Sequence, residues 1–299
     1  MMTQACSFRV SVIIPTKNRA ADLVRTIETL LTQTVQPFEL IIVDQSAERS
    51  FTKQIATPVR YIHDPNLSGA SAARNAAMEL AQGEIWLFLD DDVFLEPNFI
   101  EEILKTYDVR VAGVSGIITN YSTPPLRQRL WERIFQTGPF RDERQAIYRN
   151  AGWLRESRPL RVRQFGGGLM SFRASATRGK RFDTNLTGPC PGEDIEFCAG
   201  FGKDDVLLIT PRARLVHNRS PENRDSVHWL SVHAQVSYYM YERHWRRGIW
   251  NRVCYLWLNA GYAILTAYSC LKGRSVAPWR AWREGAQAGR DLGCKVVRK

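Results

Sequence analysis

The chain has 299 residues, 44% of them hydrophobic, which is enough for one large domain or a catalytic domain with a smaller appendage. Its six cysteines (Cys6, Cys190, Cys198, Cys254, Cys270 and Cys294) show no paired spacing, which argues against both a disulfide framework and a cysteine zinc site. The formal net charge is +11. The apolar run Val10 to Ile14 is too short for a signal-peptide core and ends in Pro15, so the expected setting is reducing and cytosolic.

The first half alternates short β-branched runs with helical patterns, the signature of βαβ units on a mostly parallel sheet. Val10 to Ile14 reads as a buried strand, Pro15 to Arg19 as the loop after it, and Ala20 to Thr32 as a helix with Leu23, Ile27, Leu30 and Leu31 on one face. Glu39 to Val43 makes a second strand that ends at Asp44. A third begins at Val59 to Ile62, and Ser68 to Ala81 is helical after a small, polar start. Glu84 to Leu89 is apolar except for Glu84, as a central parallel strand should be, and it stops in Asp90, Asp91 and Asp92.

Between Tyr121 and Phe165 the chain turns irregular, with ten arginines against Glu132, Asp142, Glu143 and Glu156; an insertion over the active-site face is expected. Gly166, Gly167 and Gly168 precede a strand-like Ser171 to Arg173. Gly192, Glu193 and Asp194 open a short helix whose apolar side is Ile195, Cys198 and Phe201.

After Asn223 the chain becomes helical, aromatic and basic, which sets a boundary between residues 1–223 and an extension over 224–299. From Ser226 onward twelve basic residues face only Glu242, Glu284 and Asp291, and six of the nine tryptophans lie there. Both nucleic acid and anionic membrane attract such charge, but tryptophan mixed with arginine and lysine is the composition of a membrane-interface belt. An anionic membrane surface is the expected partner, and no nucleic acid. Val253 to Leu271 carries no charge but is interrupted by Asn259, Gly261, Thr266 and Ser269. It fits a helix lying in the interface with Trp250, Trp257, Trp279 and Trp282 at headgroup depth; a single span and a core-covering helix are the alternatives.

The three aspartates sit at the carboxyl end of a buried strand, where ligands bind in open α/β sheets. Residues two apart on a strand point the same way, so Asp90 and Asp92 can face one ligand together. Two convergent carboxylates repel unless a cation lies between them, and hard oxygen donors select Mg²⁺ or Mn²⁺. On the residues alone, a solvated acidic turn fits as well.

Four separated patches resemble the family-2 glycosyltransferases, inverting enzymes of the GT-A fold. They are Ser11 to Arg19, Asn66 to Asn75, Leu89 to Val93, and Gly192-Glu193-Asp194, and they cover about two-thirds of the chain. The resemblance implies a nucleotide-diphospho-sugar donor, UDP-, dTDP- or GDP-linked, held by Pro15, Thr16, Arg19, Asp44, Arg74, Asp90 and Asp91. The family's second acid followed by Gly-Ser is replaced here by Gln45-Ser46-Ala47. Metal ligation falls to Asp90, Asp92 and His217, a neutral imidazole being a competent third ligand.

Asp194 is the implied catalytic base, which must reach the acceptor hydroxyl on the side opposite the departing diphosphate. Glu193 and Gly166 to Gly168 then line the acceptor, the glycines letting backbone approach closely. Asp91 is left as a structural or ribose contact. The implied acceptor is a glycan or a lipid-linked precursor of a surface polysaccharide or glycolipid, met at the cytoplasmic side of the cell membrane. The arginines between Arg127 and Arg163 would steer its phosphate.

A catalytically silent scaffold is disfavoured by the intact Asp90, Asp92, Asp194 and His217. A sugar-phosphate nucleotidyltransferase would call for a glycine-rich loop after the first strand, and Pro15 to Arg19 has no glycine.

Overall fold

The computed structural model describes residues 8–51, 56–121, 124–136, 138–140, 157–186, 192–218, 226–245 and 248–297. In chain order the elements are β1 (Val10–Thr16), α1 (Ala20–Leu31), β2 (Glu39–Asp44), β3 (Val59–His63), α2 (Gly69–Met78), β4 (Ile85–Leu89) and β5 (Val93–Leu95). They continue with α3 (Phe99–Thr106), β6 (Val111–Ile118), α4 (Leu126–Phe135), β7 (Leu160–Val162), β8 (Leu169–Arg173), α5 (Glu193–Ala199) and β9 (Val206–His217). Three long helices follow: α6 (Ser226–Met240), α7 (Ile249–Gly273) and α8 (Ala277–Val297).

The chain forms two compact units. Met1–Thr123, Ile147–Thr187 and Glu193–Arg219 make the first; Pro124–Ala146, Gly188–Gly192 and Ser220–Lys299 make the second. The second unit therefore recruits α4 from mid-chain.

The first unit is a mixed α/β sheet in the order β3-β2-β1-β4-β8-β6-β9-β5, with β7 paired to β9. The β3-β2-β1-β4 half is parallel, and β8 runs antiparallel between β4 and β6. Strand residues alternate between two cores, as the period of two requires. Val12, Ile14, Leu40, Ile42, Leu87 and Leu89 pack with α1 and α3, whereas Ile13, Ile41, Val43 and Phe88 pack with α2 and α5. Both faces are covered, which is why β1, β2 and β4 read as apolar runs rather than alternating ones. Pro15 is tolerated inside β1 because the ladder to β4 has already ended at Ile13 and Phe88. On the α2/α5 face Phe182 stacks on Phe197 at 4.1 Å, and Phe197, absent from the expected apolar side of α5, is buried there with Cys198 while Ile195 is only half-buried.

In the second unit α8 lies against α6 through Gly285, Gly289 and Gly293, spaced four residues apart so that they share one helix face. A Cβ at Gly285 or Gly289 would collide with the carbonyl oxygen of Ser231 or Gln235, and one at Gly293 would meet the Cβ of Glu242 at 2.6 Å. α4 crosses α7, with the Trp131 indole donating to the Gly261 carbonyl at 3.0 Å and the Trp257 indole to the Ile134 carbonyl at 2.8 Å. Trp257 also packs on Phe135, and the Trp282 indole nitrogen is buried. Both rings are half-buried, whereas Trp250 and Trp279 are exposed. Among the described residues no helix is long and apolar enough to cross a membrane.

Candidate active site

Strand pairing assembles the site at the carboxyl end of β4. β5 pairs antiparallel with β9 so that Val93 lies opposite His217, and the Asn218 amide donates to the Asp92 carbonyl at 2.8 Å. His217 is thereby carried to the aspartates from 125 residues away in sequence. Its Nε2 lies 2.9 Å from Asp92 Oδ1 and 3.9 Å from Asp90 Oδ2. One ligand atom from each of Asp90, Asp92 and His217 can be chosen so that all lie within 4.8 Å of one another.

Asp92 Oδ1 is buried and has no hydrogen-bond partner, although the imidazole stands beside it. A divalent cation shared by the two carboxylates and the imidazole would satisfy it, and this donor set suits Mg²⁺ or Mn²⁺.

Asp91 points away from this cluster into the protein. Its carboxylate accepts the Thr16 hydroxyl at 2.6 Å and the Arg19 guanidinium at 3.2 Å, and its carbonyl accepts the Thr26 hydroxyl at 2.8 Å. Burial pushes its pKa up to about 6 despite those partners. Arg19 also reaches Asp92 Oδ2 at 3.0 Å and is 40% exposed, so one cation braces the aspartate turn while keeping a face to solvent. Thr16 is fully engaged, and Pro15 and Arg19 remain partly open.

Arg74 is 1% exposed: its guanidinium pairs with Glu193 at 2.6 Å and Asp90 at 3.2 Å and lies 5.4 Å from the Phe182 ring centroid. It is a buried link between carboxylates, because a guanidinium facing inward from α2 finds acids there. Glu193, its partner, is buried as well. Asp44 is buried and takes hydrogen bonds from the Ser46 and Ser50 amides at 2.9 and 2.8 Å and from the Ser50 and Tyr61 hydroxyls. Burial alone would raise its pKa, but these donors outweigh it and hold the carboxyl well below the usual range. Asp44 therefore shapes the turn after β2 with both oxygens occupied. Nothing local in the sequence announces Ser50 or Tyr61 as its partners.

Asp194 opens α5 and accepts the Ile195 amide at 2.8 Å. Burial, then the Glu193 charge, push its pKa up to about 7, with the backbone amides of Ile195 and Gly167 and the Arg74 cation opposing. A carboxylate poised there is matched to proton abstraction near neutral pH.

The glycines bring the two acids together. A Cβ at Gly167 would lie 3.3 Å from Asp194 Oδ2, and one at Gly168 would collide with Asp90 Oδ2. Gly168 has φ +84°, a conformation that disfavours any side chain, and its carbonyl accepts the Asp90 amide at 3.3 Å. A single peptide thus separates the acid beside the metal cluster from the acid that would act as base. Gly166 lies one step earlier, half-exposed.

The model of glycosyl transferase family 2 matches residues 11–178, more than half of the chain. This protein belongs to glycosyl transferase family 2. An uncharacterized glycosyltransferase of Haemophilus influenzae is 37% identical over 101 residues, which is 33% of this chain and 34% of that protein. The succinoglycan biosynthesis protein ExoM of Rhizobium meliloti is 26% identical over 231 residues, 71% of this chain and 68% of that protein. The similarity to the first three relatives spans 34–38% of their lengths. A mannosyltransferase from Pyrobaculum calidifontis, solved with GDP-Man and Mn²⁺, superposes with a TM-score of 0.52 at 17% identity over 96% of this chain and 86% of that chain. That likeness supports the GT-A fold of the family-2 chain.

Proposed function

We propose that this family-2 protein is a metal-dependent, inverting glycosyltransferase that moves a sugar from a nucleotide-diphospho-sugar onto an acceptor hydroxyl. The observation that carries the reading is the cluster of Asp90, Asp92 and His217, with its buried Asp92 oxygen, one glycine peptide away from Asp194. A Mg²⁺ or Mn²⁺ ion there would neutralise charge on the leaving diphosphate. Asp90, Asp92 and His217 would hold it, and Arg19 and Asp91 keep the aspartate turn in place. Asp194 takes the acceptor proton from the side opposite the leaving group, and one base with no second nucleophile fits a single in-line displacement. Arg74 neutralises Glu193 so that two buried carboxylates stand side by side without a second unpaired charge.

The donor is UDP-, dTDP- or GDP-linked, and the acceptor is a glycan or lipid-linked precursor of a surface polysaccharide. ExoM, named for succinoglycan biosynthesis and similar over 71% of this chain, supports the polysaccharide assignment. The catalytic work belongs to the first unit, acting at the cytoplasmic side of the membrane.

The test is a panel of nucleotide-sugars with the purified chain, read as thermal stabilisation and as nucleoside-diphosphate release with Mn²⁺, Mg²⁺ or chelator. At least one donor should stabilise the protein and be consumed only with metal. Turnover unaffected by chelator, or no response to any donor, would refute the proposal.

A further inference from the structure

The second unit carries an unpartnered apolar stripe. α7 exposes Ile249, Val253, Leu256, Ile264, Tyr268 and Leu271, at 37–85% of their surface. Their spacings of three, four and eight residues put them on one face of a single helix, about 33 Å from end to end. The opposite face is filled by Cys254, Tyr255, Asn259, Tyr262 and Thr266, all buried.

α4 adds a parallel case. It buries none of its residues and exposes Leu126, Leu130 and Ile134 at i, i+4 and i+8. Trp131 and Trp257 fasten α4 to α7 inside the unit. Nine large apolar side chains left in water are more than scattered surface exposure; patches of this kind mark protein or membrane contacts.

Charge decides between those two. Exposed Arg127, Arg129 and Arg133 interleave with the α4 stripe, and exposed Arg252, Lys272 and Arg274 border the α7 stripe. α7 has no acidic residue, and the acid on α4, Glu132, accepts the Gln128 side chain at 2.9 Å. A second copy of the chain would oppose cation to cation, whereas an anionic bilayer offers hydrocarbon to the stripes and phosphates to the arginines.

We propose that the outward faces of α4 and α7 form a monotopic docking surface for anionic lipid, with α7 lying in the membrane plane. This deepens the membrane localisation proposed above and assigns to lipid the α4 arginines that the sequence suggested for an acceptor phosphate. The buried inner face of α7 fixes the mode: the helix is amphipathic in place, so only one side meets lipid.

The experiment is vesicle flotation of the full chain with phosphatidylglycerol-containing and pure phosphatidylcholine vesicles. The parent should float with the anionic vesicles and release as salt rises. Leu130→Glu with Ile264→Glu, both at exposed positions, should keep the parent's melting temperature and lower the bound fraction by about tenfold or more. Arg129→Gln with Arg133→Gln should weaken the salt dependence. Val109→Glu, 95% exposed in the first unit, should bind as the parent does.

If the parent floats and the Leu130/Ile264 variant floats equally, the face is wrong while membrane association stands. If the parent ignores anionic vesicles, both fall. If instead the parent forms a concentration-dependent dimer that the double variant abolishes, without vesicle binding, the occupant is a second copy and the proposal is overturned.

Discussion

Replacing Arg74 with methionine removes a buried cation from a nest of acids while keeping side-chain bulk in the pocket beside Phe182. Glu193 loses its 2.6 Å partner and is itself buried; Asp90 loses a 3.2 Å partner but is 31% exposed, so most of the penalty falls on Glu193. Breaking a buried pair from one side costs about 3–5 kcal/mol, because the remaining charge is stranded in low dielectric. For a body of this size that corresponds to a fall of roughly 10 °C in melting temperature. Glu193→Gln in the Arg74→Met background removes the stranded charge and should restore most of the loss, so the two substitutions are strongly non-additive.

The same cycle reads out in catalysis. Arg74 opposes the upward push on Asp194, so its loss moves the acid limb of the turnover profile above the parent's value of about 7. Glu193 pushes Asp194 up more strongly than Arg74 pulls it down, so the double variant should return below the single one. Thermal melts and pH profiles of the four proteins suffice. If Arg74→Met melts within about 2 °C of the parent, or Glu193→Gln rescues nothing, the buried link is not holding the acids.

Asp194→Asn should be more stable than the parent above pH 7. A carboxyl whose folded pKa is raised to about 7 binds its proton more tightly when folded, so the parent loses stability as pH rises from about 4 to 7, and the amide does not. Melts at pH 4 and pH 8 should show the gap open only at the higher value. Asp92→Asn should weaken Mn²⁺ binding, followed by titration calorimetry, by at least about tenfold, since even outer partners of a metal ligand are worth that much. Gly289→Leu should destabilise the chain by about 3 kcal/mol through collision with the Gln235 carbonyl, whereas Gly273→Ala, with open space around it, should leave the melt unchanged or slightly raised.

The strand-helix alternation and the shared face of Asp90 and Asp92 are legible because both follow from local periodicity: a run buried on both sides, then a spacing of two. The His217 position rests on family resemblance in the sequence; its physical cause is the β5–β9 register, a long-range pairing that no local pattern encodes. The partners of Arg74 and Asp44 are not legible, for one reason. A charged side chain on a helix or at a strand end looks solvent-facing until its partners are known, and those partners, Glu193, Ser50 and Tyr61, lie elsewhere in the chain. The tail tryptophans are similar, since composition counts rings but does not say that Trp257 packs on Phe135 or that the Trp282 indole nitrogen is buried. The glycines of α8 stand at a visible spacing of four, yet only the collision with α6 reveals their use.

The central claim is that Asp194 takes the acceptor proton while Asp90, Asp92 and His217 serve the donor through a metal. It is tested most directly by measuring donor binding and donor turnover in Asp194→Asn with saturating Mn²⁺. Binding should match the parent, and turnover should fall by about 10²–10⁴-fold. Parent-like turnover in that variant would contradict the account.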